Sequence, residues 1–512
     1  MFNYKLLFLF SVFINAISST GTPYNSTWIP DHICYNYFRP GDILLGGIFP
    51  LMYTLNDNSP CTQDQISNWG VASTEALVFA IDQINRRSDL LPNITLGFDL
   101  RDGCRSEEVA LFHATTLASF SGHEEYRKVC GYHPTPNHKR VTAIIGTGRS
   151  STCVFAAKVG TIYNIPVISH WASTDELSNK DRFPYFLRVV PAEKAQIGGI
   201  VDILHRYNWR YVGVLYSLDA DGLLATQYFK KLAEPEICIA YSQSVSLHAT
   251  ERDLDEVVDI IADFDKASVI VMLASYEISN NLIKRFQSSQ LPNNKTFICT
   301  TYCGFIWDED PYAERVYGSL HMRYDTTTVP EYVEHIEQLS LLNLTQIRSP
   351  FVEKYIEIKK KPLAVTSYAL NVIKSVYAFA YGMHSYIENE CSNDWSSCRI
   401  NKKRLLNEIQ NVSFLAPDGL FEFDDEGNGM ATYKIHNLHY KNDKYFWKTV
   451  GYWDPREPKG QRLTVDDGNV SFAGNAYHPS LCKDKCKPGS IEVPLKGNAA
   501  GVASHADLKK LL

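Results

Sequence analysis

Along this chain, short runs dominated by apolar, often β-branched residues alternate with longer segments in which apolar residues recur every three or four positions. The short runs fall at 42–49, 94–100, 141–145, 165–168, 211–216, 237–241, 267–273 and 296–301 and read as strands. Between them, helical spacing predicts helices over 69–85, 107–120, 150–163, 192–207, 223–232, 252–264 and 277–289, with further helices at 363–387 and 402–410. Strands separated by helices of this length imply parallel sheets built from βαβ units. Residues 330–346 are more polar, 420–450 read as antiparallel strands turning at 424–429 (DDEGNG), and 20–40 show no period. Two sets of βαβ units, with the chain returning after about residue 320, predict an α/β protein of two lobes hinged as a clamshell. Such folds bind ligands in clefts at the carboxyl ends of their strands.

One stretch carries chemistry on its face. In 141–173 a strand breaks into Gly146-Thr147-Gly148, a helix follows from Ser150, and a second strand ends in small polar residues. The turn leaves first-turn backbone N–H groups beside the hydroxyls of Ser150 and Ser151, a seat suited to a carboxylate. The alternative is an ordinary βα turn. A dinucleotide fingerprint fits less well, because the third glycine is missing and no acid ends the next strand.

Composition narrows the setting. The 512 residues, 45% hydrophobic and 21% charged, are globular material, and a net charge of −7 without a basic cluster argues against a nucleic-acid partner. Residues 1–19 have the shape of a secretory signal, and no later run is long and apolar enough to predict a membrane span. Six sequons (Asn25, Asn93, Asn294, Asn343, Asn411 and Asn469) are glycan acceptors if the chain is secreted. The 12 cysteines show no zinc-type spacing, which favours disulfides and an extracellular location. No HExxH, no GxSxG and no Ser/His/Asp order stands out, so the expectation is a protein without catalysis, cofactor or metal centre. The acids Asp219, Asp221 and Glu193 leave Ca²⁺ open as a ligand, against a solvated acidic face.

The segments GDILLGGIFP (41–50), EALVFAIDQIN (75–85), LLPNITLGFDLRDGC (90–104), IIGTGRSST (144–152), IPVISHWASTDELSNKDRFPYFLRVVPAE (165–193), YNWRYVGVLY (207–216), FDDEGNGMATYKIHNL (423–438) and CKDKCKPG (482–489) resemble, in unbroken order, the extracellular ligand-binding module of class C G-protein-coupled receptors. That group includes the metabotropic glutamate, calcium-sensing, taste and pheromone receptors. The resemblance implies a Venus-flytrap module that closes two lobes on an α-amino acid and dimerises, with itself or a related receptor. It divides the chain into a signal (1–19), an arm (20–40), lobe 1 (41–190), lobe 2 (191–321), a return to lobe 1 (322–415), a crossing with antiparallel strands (416–475), the start of a cysteine-rich region (476–489) and an atypical tail (490–512). G-protein coupling would lie in a membrane part beyond these residues. The rival is a secreted protein that only sequesters its ligand.

By the same resemblance, the ligand's α-carboxylate sits on Gly148-Arg149-Ser150-Ser151, with Ala172 and Ser173 facing its ammonium and carboxylate from the next strand end and Glu193 near the ammonium group. Trp69 and Trp171 are aromatic candidates for the cleft, with core packing as the alternative. Departures from the family pattern accompany these matches. Ser73 stands where glutamate-selective members carry a basic residue, Asp221 replaces a covering tyrosine, and Thr301 replaces an acid. Arg149 adds a fixed cation at the anion turn. Asp221 and Glu193 also suit simple helix starts. The resemblance pairs Cys61 with Cys104 and Cys391 with Cys398, and makes Cys130 an intersubunit disulfide. It assigns Cys238 to a downstream partner and leaves Cys34, Cys153, Cys299 and Cys303 without one.

Overall fold

The computed structural model describes residues 34–503 apart from 53–60, 120–125, 127–129, 131–139, 290, 292–293, 301–312, 325–326, 367, 392–394, 396–397, 482–490 and 496–498. Thr301, Cys303, Cys482, Cys486, Asn25 and the signal therefore lie outside the described residues.

The first sheet holds β1 (Asn36–Arg39), β2 (Ile43–Phe49), β3 (Leu96–Asp102), β4 (Ala143–Gly146), β5 (Val167–Ser169) and β6 (Phe186–Arg188), in the order β1-β3-β2-β4-β5-β6. All neighbours are parallel except β1 against β3. Every residue of β2 is buried, which is why its sequence is a continuous apolar run and not an alternation. Helices α1 (Asn68–Asn85), α2 (Glu107–Ala118) and α3 (Ser150–Tyr163) connect these strands. β1 was not legible, because a half-buried edge strand carries no clean period.

The second sheet begins after α4 (Glu193–Arg206) with β7 (Tyr211–Ser217), α5 (Ala220–Ala233), β8 (Cys238–Val245), α6 (Glu251–Asp263), β9 (Val269–Leu273), α7 (Tyr276–Ser288), β10 (Thr296–Cys299) and β11 (Leu320–Tyr324). Helix α6 shows why such segments fold as they do. Thr250 and Asp253 form a reciprocal capping box, and Leu254, Val257, Val258 and Ile261 make one buried stripe. The chain then returns to the first lobe as α8 (Pro330–Leu341), α9 (Pro350–Lys359), α10 (Ala369–Glu390), α11 (Lys402–Gln410) and the hairpin of β12 (Ser413–Ala416) with β13 (Gly419–Glu422). Strands β14 (Tyr433–Lys441), β15 (Lys444–Trp453) and β16 (Leu463–Val465) complete the second sheet, in the order β16-β15-β14-β11-β10-β9-β7-β8. A last hairpin joins β17 (Ile491–Leu495) to β18 (Ala499–Ala503).

Each sheet is covered on both faces. In the first lobe, one core joins α1 to α8–α11, and the other lies under α2 and α3. In the second lobe, one core lies under α6 and α7 and the other under α4 and α5. This is the two-lobed α/β architecture of a periplasmic-binding-protein-like clamshell. Among the described residues, no helix is long and apolar enough to cross a membrane.

The turn at 424–429 does not join two strands of one sheet, as the pattern predicted. It docks on the first crossing between the lobes, where the Arg188 N–H donates to the Gly427 carbonyl at 3.0 Å and the Gly429 N–H to the Arg188 carbonyl at 2.6 Å. A Cβ on Gly429 would lie 2.3 Å from the Val189 carbonyl oxygen, so only glycine permits this approach. The hairpin turn between β14 and β15 falls instead at Asn442-Asp443, both at positive φ.

Disulfides join Cys61 to Cys104 and Cys391 to Cys398. The intersubunit role for Cys130 is overturned: pairing of β1 with the edge of β3 brings the arm alongside, and Cys130 bonds Cys34 within the chain. Cys34→Ser should cost roughly 4–5 kcal/mol, the closure entropy of a loop of about 100 residues, as read by urea unfolding with and without reductant. A loss below about 1 kcal/mol would count against the crosslink. Cys153 is a buried thiol, Cys299 is buried and Cys238 half-buried. Of the sequons, Asn93, Asn343 and Asn411 are exposed and Asn294 and Asn469 are half-buried.

Candidate ligand-binding site

Strand β4 ends in the turn Thr147-Gly148-Arg149, and α3 begins at Ser150. The residue before the helix, Arg149, is extended and makes no side-chain cap bond, so the first turn keeps its N–H groups for another acceptor. The turn itself is held rigidly. The Thr152 hydroxyl donates towards Thr147 Oγ1 (2.9 Å) and the Arg149 carbonyl (3.0 Å). Ser169 Oγ donates to the Thr147 carbonyl at 2.9 Å and accepts from the N–H groups of Trp171 (3.3 Å) and Ala172 (3.0 Å), which ties the end of β5 to the turn. Gly148 is required by close approach: a Cβ there would meet the Trp69 ring at 2.5 Å. Behind them His170 is fully buried, stacked on Phe49 with centroids 5.2 Å apart, and burial lowers its pKa to about 3, so it is neutral.

The second lobe meets this turn through Thr174. Its N–H donates to Ser150 Oγ at 3.3 Å, and its side chain hydrogen-bonds Asp221 at the start of α5. The Asp221 carboxyl is raised, by burial first and by Asp219 against the opposing pull of Arg149. Glu193 opens α4, and its N–H donates to the Ser173 carbonyl at 2.9 Å. Its buried carboxyl is raised well above the ordinary range, first by desolvation and then by Asp221 and Asp175. Asp175 is raised by burial as well, while its Oδ1 accepts from the Lys194 N–H at 3.3 Å. Asp219 caps α5 through the Gly222 N–H at 2.8 Å.

One buried cation organises the loop between these groups. Arg188 Nε donates to Asn428 Oδ1 (2.6 Å), one terminal nitrogen to the carbonyls of Ala172 (3.2 Å) and Thr174 (2.8 Å), and the other to Ser178 Oγ (2.5 Å). Arg188 thus fixes residues 172–178 and fastens them to the 424–429 turn. Trp171 closes the rear wall, edge-on to Tyr368 of the first lobe (4.1 Å) and Tyr324 of the second (5.6 Å).

Of the residues singled out in the sequence, the structure brings Arg149, Ser150, Ala172, Ser173, Glu193 and Asp221 to one place between the lobes, with Trp69 over Gly148. Ser151 is exposed on the first turn of α3. Ser73 is buried inside α1, its hydroxyl donating to the Trp69 carbonyl at 2.8 Å, so it serves its own helix. Thr174, Asp175 and Arg188 were missed. Thr174 follows directly on Ala172-Ser173, and Arg188 was a cation inside an apolar strand.

A family model described as "Receptor family ligand binding region" matches residues 72–441, which include every group named in this cleft except Phe49 and Trp69. The chain belongs to that family. This ligand-binding region is also similar to metabotropic glutamate receptor 8 of Homo sapiens and to that of Rattus norvegicus, at 25% identity over 497 residues, covering 89% of this chain and 54% of each receptor. It therefore spans about half the length of those relatives. Both comparisons support the class C Venus-flytrap reading made from the sequence motifs.

Proposed function

We propose that this chain is the extracellular ligand-sensing module of a class C G-protein-coupled receptor, and that it takes an amino acid or related carboxylate between its lobes. The observation that carries the reading is the juxtaposition across the cleft. An uncapped helix start with Ser150 offers donors to an anion, while Glu193 and Asp221 offer carboxylates to a cation. That is the complement of a zwitterion. The named relatives are glutamate receptors, and here the family's basic position is Ser73, so the proposal leaves the side chain of the ligand open at this point.

Ligand contacts made by both lobes favour closure, and binding energy becomes a population shift that a membrane part and a dimer partner would transmit. The disulfides and the exposed sequons suit an extracellular setting. Ser150→Ala is expected to weaken a carboxylate ligand by about 1–3 kcal/mol, the scale of a hydrogen bond to a charged group. Calorimetric titration checks this, and unchanged affinity would remove Ser150 from the seat.

A further inference from the structure

Two groups of leucines in the first lobe face water, and an exposed sequon stands at each. Among the described residues, the two most exposed large apolar side chains are Leu341 (86%) and Leu415 (84%). Leu341 ends α8, and together with Leu342 and Leu344, which are exposed as well, it brackets Asn343. A short turn holds this tip: the Gln346 N–H donates to the Asn343 carbonyl at 2.8 Å, and the Asn343 N–H donates to Gln346 Oε1 at 3.0 Å. Leu415 lies opposite the exposed Leu420 in the β12–β13 hairpin. The same face of β12 presents Ser413, the hydroxyl residue of the Asn411 sequon.

The other sequons differ. Asn343 and Asn411 are exposed, and among the described residues neither side-chain nitrogen donates a hydrogen bond. Asn469 is half-buried, and its Nδ2 is committed to Asp466 Oδ2 at 2.6 Å. Asn93 is exposed, but the apolar residues beside it, Leu90, Leu91 and Ile94, belong to the core or pack against it. Clustered leucines are unfavourable in water, and such a patch marks a surface that something covers.

We propose that N-linked glycans on Asn343 and Asn411 are that cover, each lying over the leucines beside its own attachment point. The apolar C–H faces of the sugar rings pack on the leucine methyl groups, and the hydroxyls face water. In the attachment step the side-chain nitrogen bonds the anomeric carbon of an oligosaccharide carried on a lipid diphosphate. The carbon–oxygen bond to the diphosphate breaks, and one amide proton leaves with it. The inference rests on the extracellular setting of the proposed function and goes beyond it, because it gives two sequons a surface to shield.

The test uses the full chain purified from glycosylating animal cells. Peptide mass spectrometry reads which sequons are occupied, and a dye for apolar surface, with sedimentation, reads exposed leucines and self-association. Asn343 and Asn411 should both be occupied. Asn343→Gln and Asn411→Gln should each raise dye fluorescence at least about twofold and add self-associated species, with the melting temperature preserved. Asn93→Gln should change neither reading. Adding Leu341→Ser and Leu344→Ser to Asn343→Gln should reverse its effect, and trimming the glycans from the folded native chain with an endoglycosidase should reproduce it. An equal effect of Asn93→Gln, or no reversal by the serines, overturns the proposal, since the sugar would then act as a general solubiliser. Occupancy at Asn93 with Asn343 and Asn411 vacant also overturns it and leaves the leucines to a protein partner. If no sequon is occupied, the extracellular reading falls with it.

Discussion

Arg188→Met should unfold about 3–5 kcal/mol more easily than the native chain, because the buried acceptors around it lose their donor and the buried carboxyls of Asp175 and Glu193 lose the cation that opposes their desolvation. The guanidinium is wholly buried, and the side-chain oxygen of Asn428, the carbonyls of Ala172 and Thr174 and the hydroxyl of Ser178 all accept from it. Methionine fills much of the volume and supplies none of the donors, so two backbone carbonyls lose a bond in a dry site. The damage is also directional. Residues 172–178 include Ser173 and Thr174, and Asn428 lies on the 424–429 turn that pairs with the Arg188 backbone, so the variant loosens that loop and its contact with the turn together. Urea unfolding reads the first effect and titration of a bound amino acid the second. A stability loss under about 1 kcal/mol would show that the arginine is dispensable there.

Glu193→Gln should cost an ammonium-bearing ligand about 2–3 kcal/mol and weaken the pH dependence of its binding, leaving the part that the raised Asp221 carboxyl supplies. Burial, Asp221 and Asp175 raise the Glu193 carboxyl well above the ordinary carboxylate range, against Arg188. In the empty cleft, stability from this group is full below the unfolded-state value and is lost as pH rises through the raised folded value. A bound ammonium reverses the balance by favouring the carboxylate, so binding releases a proton. Affinity should therefore climb with pH between the ordinary carboxylate range and the raised value, then level off. The glutamine variant should bind weakly with a shallower profile, set by Asp221. A native profile that is flat across this window, or falls with pH, would contradict the pairing of Glu193 with a cation.

How far the sequence discloses the molecule depends on which residues carry a local pattern. Strand β2 and helix α6 declare themselves because burial on two faces and burial on one stripe leave distinct periods. The half-buried β1 shows neither, and with it the Cys34–Cys130 bond was invisible. In the cleft, Ser150 was legible from strand, glycine turn and helix in succession. Ser73 was chosen by position on α1, yet its hydroxyl is spent on its own helix. Arg188 was silent because its partners, Ala172, Thr174, Ser178 and Asn428, are assembled from separate segments only by the fold. The 424–429 turn was read correctly as a turn, but the strands on either side of it belong to different sheets, and only tertiary contact with Val189 explains Gly429.

The central claim is that one zwitterion bridges the α3 turn and the Glu193–Asp221 pair. Calorimetry tests it most directly: take the L-α-amino acid that binds the purified chain most tightly, and compare it with its decarboxylated amine and its deaminated acid. Loss of at least about tenfold in affinity for each truncated analogue is the predicted result. An amine or an acid that binds as tightly as the parent amino acid would contradict it.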